Sequence, residues 1–290
     1  MNQDFKSNVE YLEHYNIQFK RTSNVINFLN TNDINRIKRY FPYSKNDWSN
    51  INFERIIKKI QFDSFLRNQL FNIVSSIEIT FKSILTKSIF MLYNNKYPYN
   101  ENSFFLDLKY KNEFKKKIEN IKQTFRKAPN DVFLQKYFVK SSRVRLPISA
   151  IIQKLTFGET IYFFRTFSLD IERIVIKEFN HTSISTFLSN MICVKNIRNA
   201  CCHLDILNNK KYSTKPNLNY NQKKKIGFSL LNQDLLFLQL YNLKLLCLNK
   251  KVWNESLKVL INQITKNTKE KVLKPLQQFG FPKNWIELLR

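Results

Sequence analysis

Residues 53–92 read FERIIKKIQFDSFLRNQLFNIVSSIEITFKSILTKSIFML, and this stretch decides the fold class. Apolar side chains recur every three or four positions along it, as in Ile77, Phe81 and Ile84. This spacing is typical of a helix that is buried along a wide stripe. Because forty residues would be long for one helix, we expect either a kink or two helices that meet near residues 62–63.

The rest of the chain also shows helical spacing and offers little that would form a sheet. Only three glycines are present, which argues against many tight hairpins. No segment shows a convincing two-residue alternation of apolar and polar side chains. We therefore predict an all-α helical bundle that forms one domain, with additional helices at both ends.

Several helix boundaries can be predicted from caps and breaks. Two short helices are expected between residues 5 and 43, with a break and an N-cap at 31–33. Pro147 is expected at the first position of a helix, and residues 157–159 are expected to interrupt that helix. A further apolar-periodic helix is expected over residues 183–204, followed by a polar, Asn-rich connection.

The charge of the chain points to a polyanionic partner. Lys and Arg number 48 against 22 Asp and Glu, which gives a formal net charge of +26. Such a charge usually marks a protein that binds nucleic acid or an anionic membrane face. Compositional drift in an AT-rich genome would also raise the lysine content, but it explains less well why acidic residues did not rise in parallel.

Three classes of site are excluded or disfavoured by residue usage. The three glycines lie far apart, so neither a P-loop nor a dinucleotide-binding G-x-G-x-x-G can be written. The four cysteines contain no C-x-x-C and the histidines no H-E-x-x-H, so we expect no metal site and no cofactor. Free thiols, a polar N-terminus and the absence of a long apolar run predict a cytoplasmic protein without a membrane partner.

The most basic region is residues 109–145, which hold twelve Lys or Arg and three acidic residues. Aromatic residues are interleaved with these charges, so the region could hold RNA by charge and by stacking. The alternative is that the aromatic rings are core and the lysines are a solvated face. The candidate RNA-binding residues are Lys115, Lys116, Lys117, Arg126, Lys127, Arg143 and Arg145.

The sharpest local signal is the string RNACCH, from Arg198 to His203. A neutral His can take a proton from a ribose 2′-hydroxyl or give one to a leaving oxygen. An Arg can hold the scissile phosphate with two hydrogen bonds, and Asn199 adds an amide that could orient either group.

The five residues from Arg198 to His203 turn a helix so that the Arg and His side chains differ by roughly 140° around its axis. They therefore converge only if the helix frays or if a second copy faces the first. The alternative is an Arg bonded to carbonyls at a helix end and a His that caps the last turn.

This string resembles the R-x4-6-H motif of the HEPN superfamily, and the wider chain resembles the Abi family of bacterial phage-resistance proteins (AbiD/AbiF-like, Abi_2). The resemblance rests on several short matches that follow the family's order. They are Phe62-Asp63 with Leu66-Arg67, Ile77-Glu78 with Lys82, Leu146-Pro147-Ile148, Leu155-Thr156-Phe157-Gly158, Asn208, and Gly280-Phe281-Pro282 with Trp285. The departures are Ser149 where the family has Trp, Cys201-Cys202 before the His, and Asp205 where relatives often carry Arg.

The resemblance implies a HEPN-like bundle in a single domain over residues 1–290. Its core would span about 50–210, with N-terminal helices in 1–45 and C-terminal helices in 225–290. It also implies a homodimer in which two motifs face each other and form a composite ribonuclease site. The implied catalytic residues are Arg198, His203 and Asn199, with possible support from Glu78 and Asn208.

The implied function is a metal-independent endoribonuclease in anti-phage defence, held in check by an antitoxin or a small noncoding RNA. Two other functions stay open at this point. One is a catalytically inactive HEPN-like protein that scaffolds a noncoding RNA, and the other is a helical regulator that binds DNA. Two residue pairings also have simple alternatives. Glu78 could pair with a Lys or Arg for stability alone, and Asp63 is expected to pair with Arg67 within one helix.

Overall fold

The structure is a computed structural model that describes residues 7–42, 48, 51–127, 131–138, 145–207, 210–227, 234–270, 272 and 276–290. In these residues fourteen α-helices and three short 3-10 turns are present, and the only β pairing is an isolated bridge between Phe105 and Phe167. The predicted all-α fold is confirmed. None of the helices in the described ranges is long and apolar enough to cross a membrane.

The helices follow one another closely along the chain. They are α1 (Asn8–His14), α2 (Ser23–Thr31), α3 (Ile34–Lys38), α4 (Phe53–Tyr93), α5 (Leu108–Lys127), α6 (Val132–Phe138), α7 (Ile148–Lys154), α8 (Phe157–Phe164), α9 (Leu169–Glu178), α10 (Ile184–Cys202), α11 (Tyr220–Ile226), α12 (Leu236–Leu246), α13 (Lys250–Lys269) and α14 (Trp285–Leu289).

Helix α4 is the axis of the bundle. It is one continuous helix of 41 residues, about 60 Å long, so the expectation of two helices that meet at residues 62–63 is wrong. The helix persists because α10, α13 and α9 pack along it and bury successive turns, which stabilises a helix more than local propensity does. Asn52 caps its first turn, and Asn94 ends it in the left-handed conformation with φ of 43°.

Two hydrophobic clusters fill the interior. The larger one surrounds α4 from Phe62 onward and includes side chains from α5 to α10 and from α12 to α14. The smaller one joins α1, α2 and α3 to the first turns of α4. The predicted pair of short N-terminal helices corresponds to α2 and α3, with Asp33 as the N-cap between them. Helix α1 is a third N-terminal helix, which was not predicted from the sequence.

Three predicted boundaries need correction. Helix α8 begins at Phe157, so residues 157–159 form its first turn and do not interrupt a helix. Thr156 and Glu159 make a reciprocal capping box that starts α8. Pro147 is the N-cap of α7 and lies just outside the helix. The polar connection after α10 contains the short helix α11.

A buried carboxylate ties three distant parts of the chain together. Asp63 is fully buried and lies 3.6 Å from Arg67, so the predicted pair within one helix is confirmed. The backbone N–H of Leu207 also donates to both oxygens of Asp63, at 3.2 and 3.1 Å, and the hydroxyl of Tyr40 donates at 2.7 Å. Arg67 donates to the carbonyl oxygen of Asp205 at 3.0 Å. The chain that follows α10 is therefore held against α3 and α4.

We predict that Asp63→Ala lowers the free energy of unfolding by about 3–5 kcal/mol, because it leaves a buried Arg and a buried N–H without their partner. Tyr40→Phe should cost about 1–3 kcal/mol, since it removes one donor from the same carboxylate. Urea unfolding measures both.

Asp170→Ala is the matched control for this prediction, because Asp170 makes an exposed pair with Arg173 within one helix. It should change stability by no more than about 0.5 kcal/mol. An Asp63 variant as stable as the Asp170 variant would contradict the anchoring role of the buried carboxylate.

Candidate active site at the end of helix α10

Helix α10 ends at the RNACCH motif in a defined turn. His203 is the C-cap, and Leu204 follows in the left-handed region with φ of 56°. The N–H of Asp205 donates to the carbonyl of Ala200 at 2.9 Å, and the N–H of Leu204 donates to the carbonyl of Cys201 at 3.4 Å. This is the Schellman arrangement, in which glycine usually occupies the left-handed position. A residue other than glycine, such as Leu204, costs about 1–2 kcal/mol in the left-handed conformation, so contacts elsewhere must stabilise the turn.

Those contacts come from the chain immediately after the turn. The N–H of Leu207 bonds to Asp63 and the carbonyl of Asp205 bonds to Arg67, as described above. In addition, the carboxylate of Asp205 lies 3.3 Å from Arg39 and 3.1 Å from Lys210. Partial burial opposes ionisation, but the hydrogen bonds and charges of Lys210 and Arg39 hold the pKa of Asp205 below its usual range. The negative charge of Asp205 is therefore matched by two cations of this chain.

Glu78 reaches Arg198 from helix α4. The distance from Arg198 Nε to Glu78 Oε2 is 3.8 Å, and the other carboxylate oxygen lies 3.0 Å from Lys82. Lys82 is buried and also donates to the carbonyl oxygen of Leu155 at 2.7 Å. Glu78 therefore faces Arg198 and also pairs with a lysine of its own helix.

This arrangement leaves Arg198 able to bind an anion. Glu78 contacts the Nε side of the guanidinium, and no described residue forms a hydrogen bond with the two terminal amino groups of Arg198. The Arg198 side chain is 35% exposed. Two terminal N–H donors on a planar fork match the oxygens of a phosphate.

Arg198 and His203 are not assembled into one site within a single chain. The His203 side chain is exposed, and no hydrogen bond joins it to Arg198. The rotation of about 140° between them along α10 explains this separation. Asn199 is half-buried, and its backbone carbonyl accepts the N–H of His203 at 2.9 Å. Asn208 lies outside the described residues.

The two cysteines before His203 occupy different environments. Cys201 is buried against the core, and burial raises the pKa of its thiol to about 12. Cys202 is exposed beside His203. Cys193, eight residues before Cys201 on α10, is also buried, and burial raises the pKa of its thiol to about 12.

The predicted RNA-binding residues of the basic region differ in burial and in their ion-pair partners. Lys117 is half-buried and paired with Glu159. Lys115 and Arg145 are exposed and line one cleft of about 410 Å³, together with Lys122. The remaining described candidates, Lys116, Arg126 and Lys127, are exposed, whereas Arg143 lies outside the described residues.

The aromatic residues of the same region divide between core and surface. Phe125 is buried in the main cluster, as the core alternative expected. Phe133 is exposed, and the ammonium groups of Lys136 and Lys154 lie 4.7 and 5.4 Å from its ring centre. The side chain of Phe138 is outside the described part of the chain.

The structure identifies one expected partner and adds one contributor that was missed from the sequence. Glu78 was expected to have a Lys or Arg as a possible partner, and Lys82, four residues further along α4, is that partner. Arg39 reaches Asp205 across 166 residues, and no pattern in a single sequence reports such a contact.

The family model described as Abi-like protein (Abi_2) matches residues 9–209. This range includes α1 to α10 and the whole RNACCH motif, and α11 to α14 lie beyond it. No curated protein and no solved structure gives a significant match.

We predict that a thiol reagent at neutral pH modifies Cys202 first, because Cys201 is both buried and poorly ionised. Mass spectrometry of the native protein should show one fast label on the peptide that carries the motif. Cys202→Ser should remove that fast label, and Cys201→Ala should leave it. Fast labelling that persists in the Cys202→Ser protein would show that α10 ends in a different register.

Proposed function

We infer the function from the premise that the chain belongs to the Abi-like protein family. Membership of this family indicates a role in abortive infection, a form of phage defence. We propose that the protein carries out this role as a metal-independent endoribonuclease. The observation that carries the proposal is the open guanidinium of Arg198 on α10, the helix whose end presents His203 to solvent, with Glu78 of α4 in contact with its Nε side.

The proposed reaction uses the 2′-hydroxyl of the RNA as nucleophile. A neutral His203 takes the 2′-hydroxyl proton, and the 2′-oxygen attacks the adjacent phosphorus. The bond from phosphorus to the 5′-oxygen breaks, and that oxygen receives a proton. The products are a 2′,3′-cyclic phosphate and a 5′-hydroxyl. The terminal amino groups of Arg198 bind the phosphate oxygens and offset the charge that develops on them.

A second copy of the chain would bring the two side chains together. One helix cannot converge Arg198 and His203, whereas two helix ends that face each other can place the Arg of one beside the His of the other. Exposed apolar side chains next to site residues support such an association: Ile79, which follows Glu78 on α4, is 68% exposed, and Leu204, which follows His203, is 48% exposed. Apolar groups clustered beside a polar site are typical of an interface.

In this proposal the protein is a toxin that an antitoxin or a small noncoding RNA restrains until infection. The uncompensated lysines of the surface suit an RNA restraint as well as an RNA substrate. A protein that binds RNA without cutting it would instead act as a scaffold for a noncoding RNA, and the nature of the products separates the two functions.

We predict that RNA cleavage survives EDTA and leaves 2′,3′-cyclic phosphate ends. His203→Ala should lower the cleavage rate by about 10²–10⁴-fold, the usual contribution of a general acid or base. Melting temperature and RNA affinity should stay close to wild type, because the His203 side chain is exposed.

His14→Ala is the matched control, since it removes an exposed histidine from α1. It should cut at the wild-type rate. A metal requirement, or a His203→Ala protein as active as the control, would refute the assignment, and RNA binding without any cleavage would favour the scaffold function.

A composite site makes a second prediction possible. Arg198→Ala and His203→Ala should each be inactive as homodimers, and a mixture that has exchanged subunits should regain activity. Of the two Arg–His pairs across the interface of the mixed dimer, one then has an intact Arg and an intact His. Light scattering should show a dimer at micromolar concentration. An inactive mixture in which exchange is verified would place both residues in a site within one chain.

A further inference from the structure

A lysine-rich segment follows the candidate site directly. Residues 206–233 contain six lysines and no Asp or Glu. We name the described part of this segment, residues 210–227, the lysine track. Five of its six lysines are exposed: Lys211, Lys215, Lys223, Lys224 and Lys225. Lys210, the sixth, is the one that reaches back to Asp205.

The lysine track runs back along α10, away from His203. Thr214 accepts a hydrogen bond from the side chain of Asn196, which lies two turns before the end of α10. Asn217 then meets Asn190, whose side-chain oxygen accepts the Asn217 N–H at 2.7 Å. Because α10 rises 1.5 Å per residue, the stretch between residues 190 and 203 covers about 20 Å. The track therefore leads from the candidate site along most of one helix.

Buried amides hold the lysine track in this course. Gln239 donates to the carbonyl of Thr214 at 3.0 Å, Asn190 donates to the carbonyl of Asn217 at 3.1 Å, and Asn242 donates to the carbonyl of Asn190 at 3.1 Å. The oxygens Gln239 Oε1 and Asn242 Oδ1 find no partner among the described residues, so this polar network costs stability. The track is thus fixed to α10 and α12 by specific bonds and is not a loose tail.

The far end of the lysine track gathers positive charge. Helix α11 begins in a capping box of Asn219 and Gln222 and carries three consecutive lysines in its last turn. Burial and the charges of Lys225 and Lys250 lower the pKa of Lys244. Tyr220, at the start of α11, is 77% exposed and offers its ring to a planar partner.

We propose that the lysine track binds a single RNA strand that extends from the candidate site along α10. Lysines spaced along an extended segment match a chain of phosphates, and Tyr220 provides a surface on which a base can stack. The lysine track differs from α5, where Lys117 pairs with Glu159 and Lys122 pairs with Glu119. The inference rests on the proposed ribonuclease function and adds a strand path to it.

The test compares two triple variants of equal charge. Lys211, Lys215 and Lys224 are changed to Gln in the track variant, and Lys251, Lys258 and Lys269, which are exposed on α13, are changed to Gln in the control. Binding of a single-stranded 20-nucleotide RNA is measured at several salt concentrations. Each lost phosphate contact reduces the salt slope by about 0.7, so the track variant should lose about two units and the control almost none.

Cleavage kinetics locate the effect. With a long RNA the track variant should show a raised KM and an unchanged rate at saturation, because Arg198 and His203 are intact. With a short RNA that covers little more than the scissile bond, the track variant and the wild type should be indistinguishable. Equal melting temperatures of both variants exclude a folding defect as the cause.

The outcomes separate the lysine track from the proposed function. If wild type binds RNA and the track variant keeps the same salt slope, the track is refuted and the ribonuclease proposal stands. If the slope flattens but neither wild type nor His203→Ala cuts RNA, the track is supported and the catalytic proposal falls. If the wild-type protein binds phosphatidylglycerol vesicles and does not bind RNA, both the lysine track proposal and the ribonuclease proposal are overturned.

Discussion

The buried carboxylate of Asp63 is the interaction on which the candidate site depends. It accepts hydrogen bonds from Tyr40 in the N-terminal segment and from Leu207 after α10, and it pairs with Arg67 on α4. A buried acid without partners would be strongly destabilising, so all three contacts must form together. These contacts stabilise the left-handed turn at Leu204, which the local sequence does not favour. Without this anchor the end of α10, and with it His203, would have no fixed position.

Acidic residues are scarce in this chain, and their placement explains which basic surfaces stay open. Asp205 is matched by Arg39 and Lys210, Glu159 by Lys117, and Glu78 by Lys82 and Arg198. These acids serve the turn after α10, the contact between α5 and α8, and the candidate site. In the lysine track, Asp205 pairs with Lys210, and Lys211, Lys215 and Lys224 have no ion pair with any described carboxylate. The charge of these three lysines is therefore available to a partner, while part of the α5 charge is already balanced inside the chain.

The fold class was accessible from the sequence because helical burial repeats every three or four residues, and α4 shows that repeat over forty positions. The motif at Arg198 and His203 was accessible because both residues are close in sequence. The continuity of α4 was not, since it depends on helices that pack from other parts of the chain. The contacts of Asp63 with Leu207 and of Arg39 with Asp205 span 144 and 166 residues, and no local pattern encodes them. The boundary at Phe157 failed for a smaller reason, because the capping box of Thr156 and Glu159 outweighs the low helix propensity of Gly158.

Glu78 shows how one carboxylate can serve stability and chemistry together. Its pairing with buried Lys82 fixes the carboxylate on α4, and its second oxygen then meets Arg198 from the Nε side. The longer distance to Arg198, 3.8 Å against 3.0 Å to Lys82, means that the lysine is the firmer partner and the arginine is oriented without being saturated. A guanidinium held tightly by two carboxylate oxygens would have to break that pair before it could bind a phosphate. No described residue forms a hydrogen bond with the terminal donors of Arg198, so under the proposed function a phosphate of the RNA can bind there without the loss of an existing hydrogen bond.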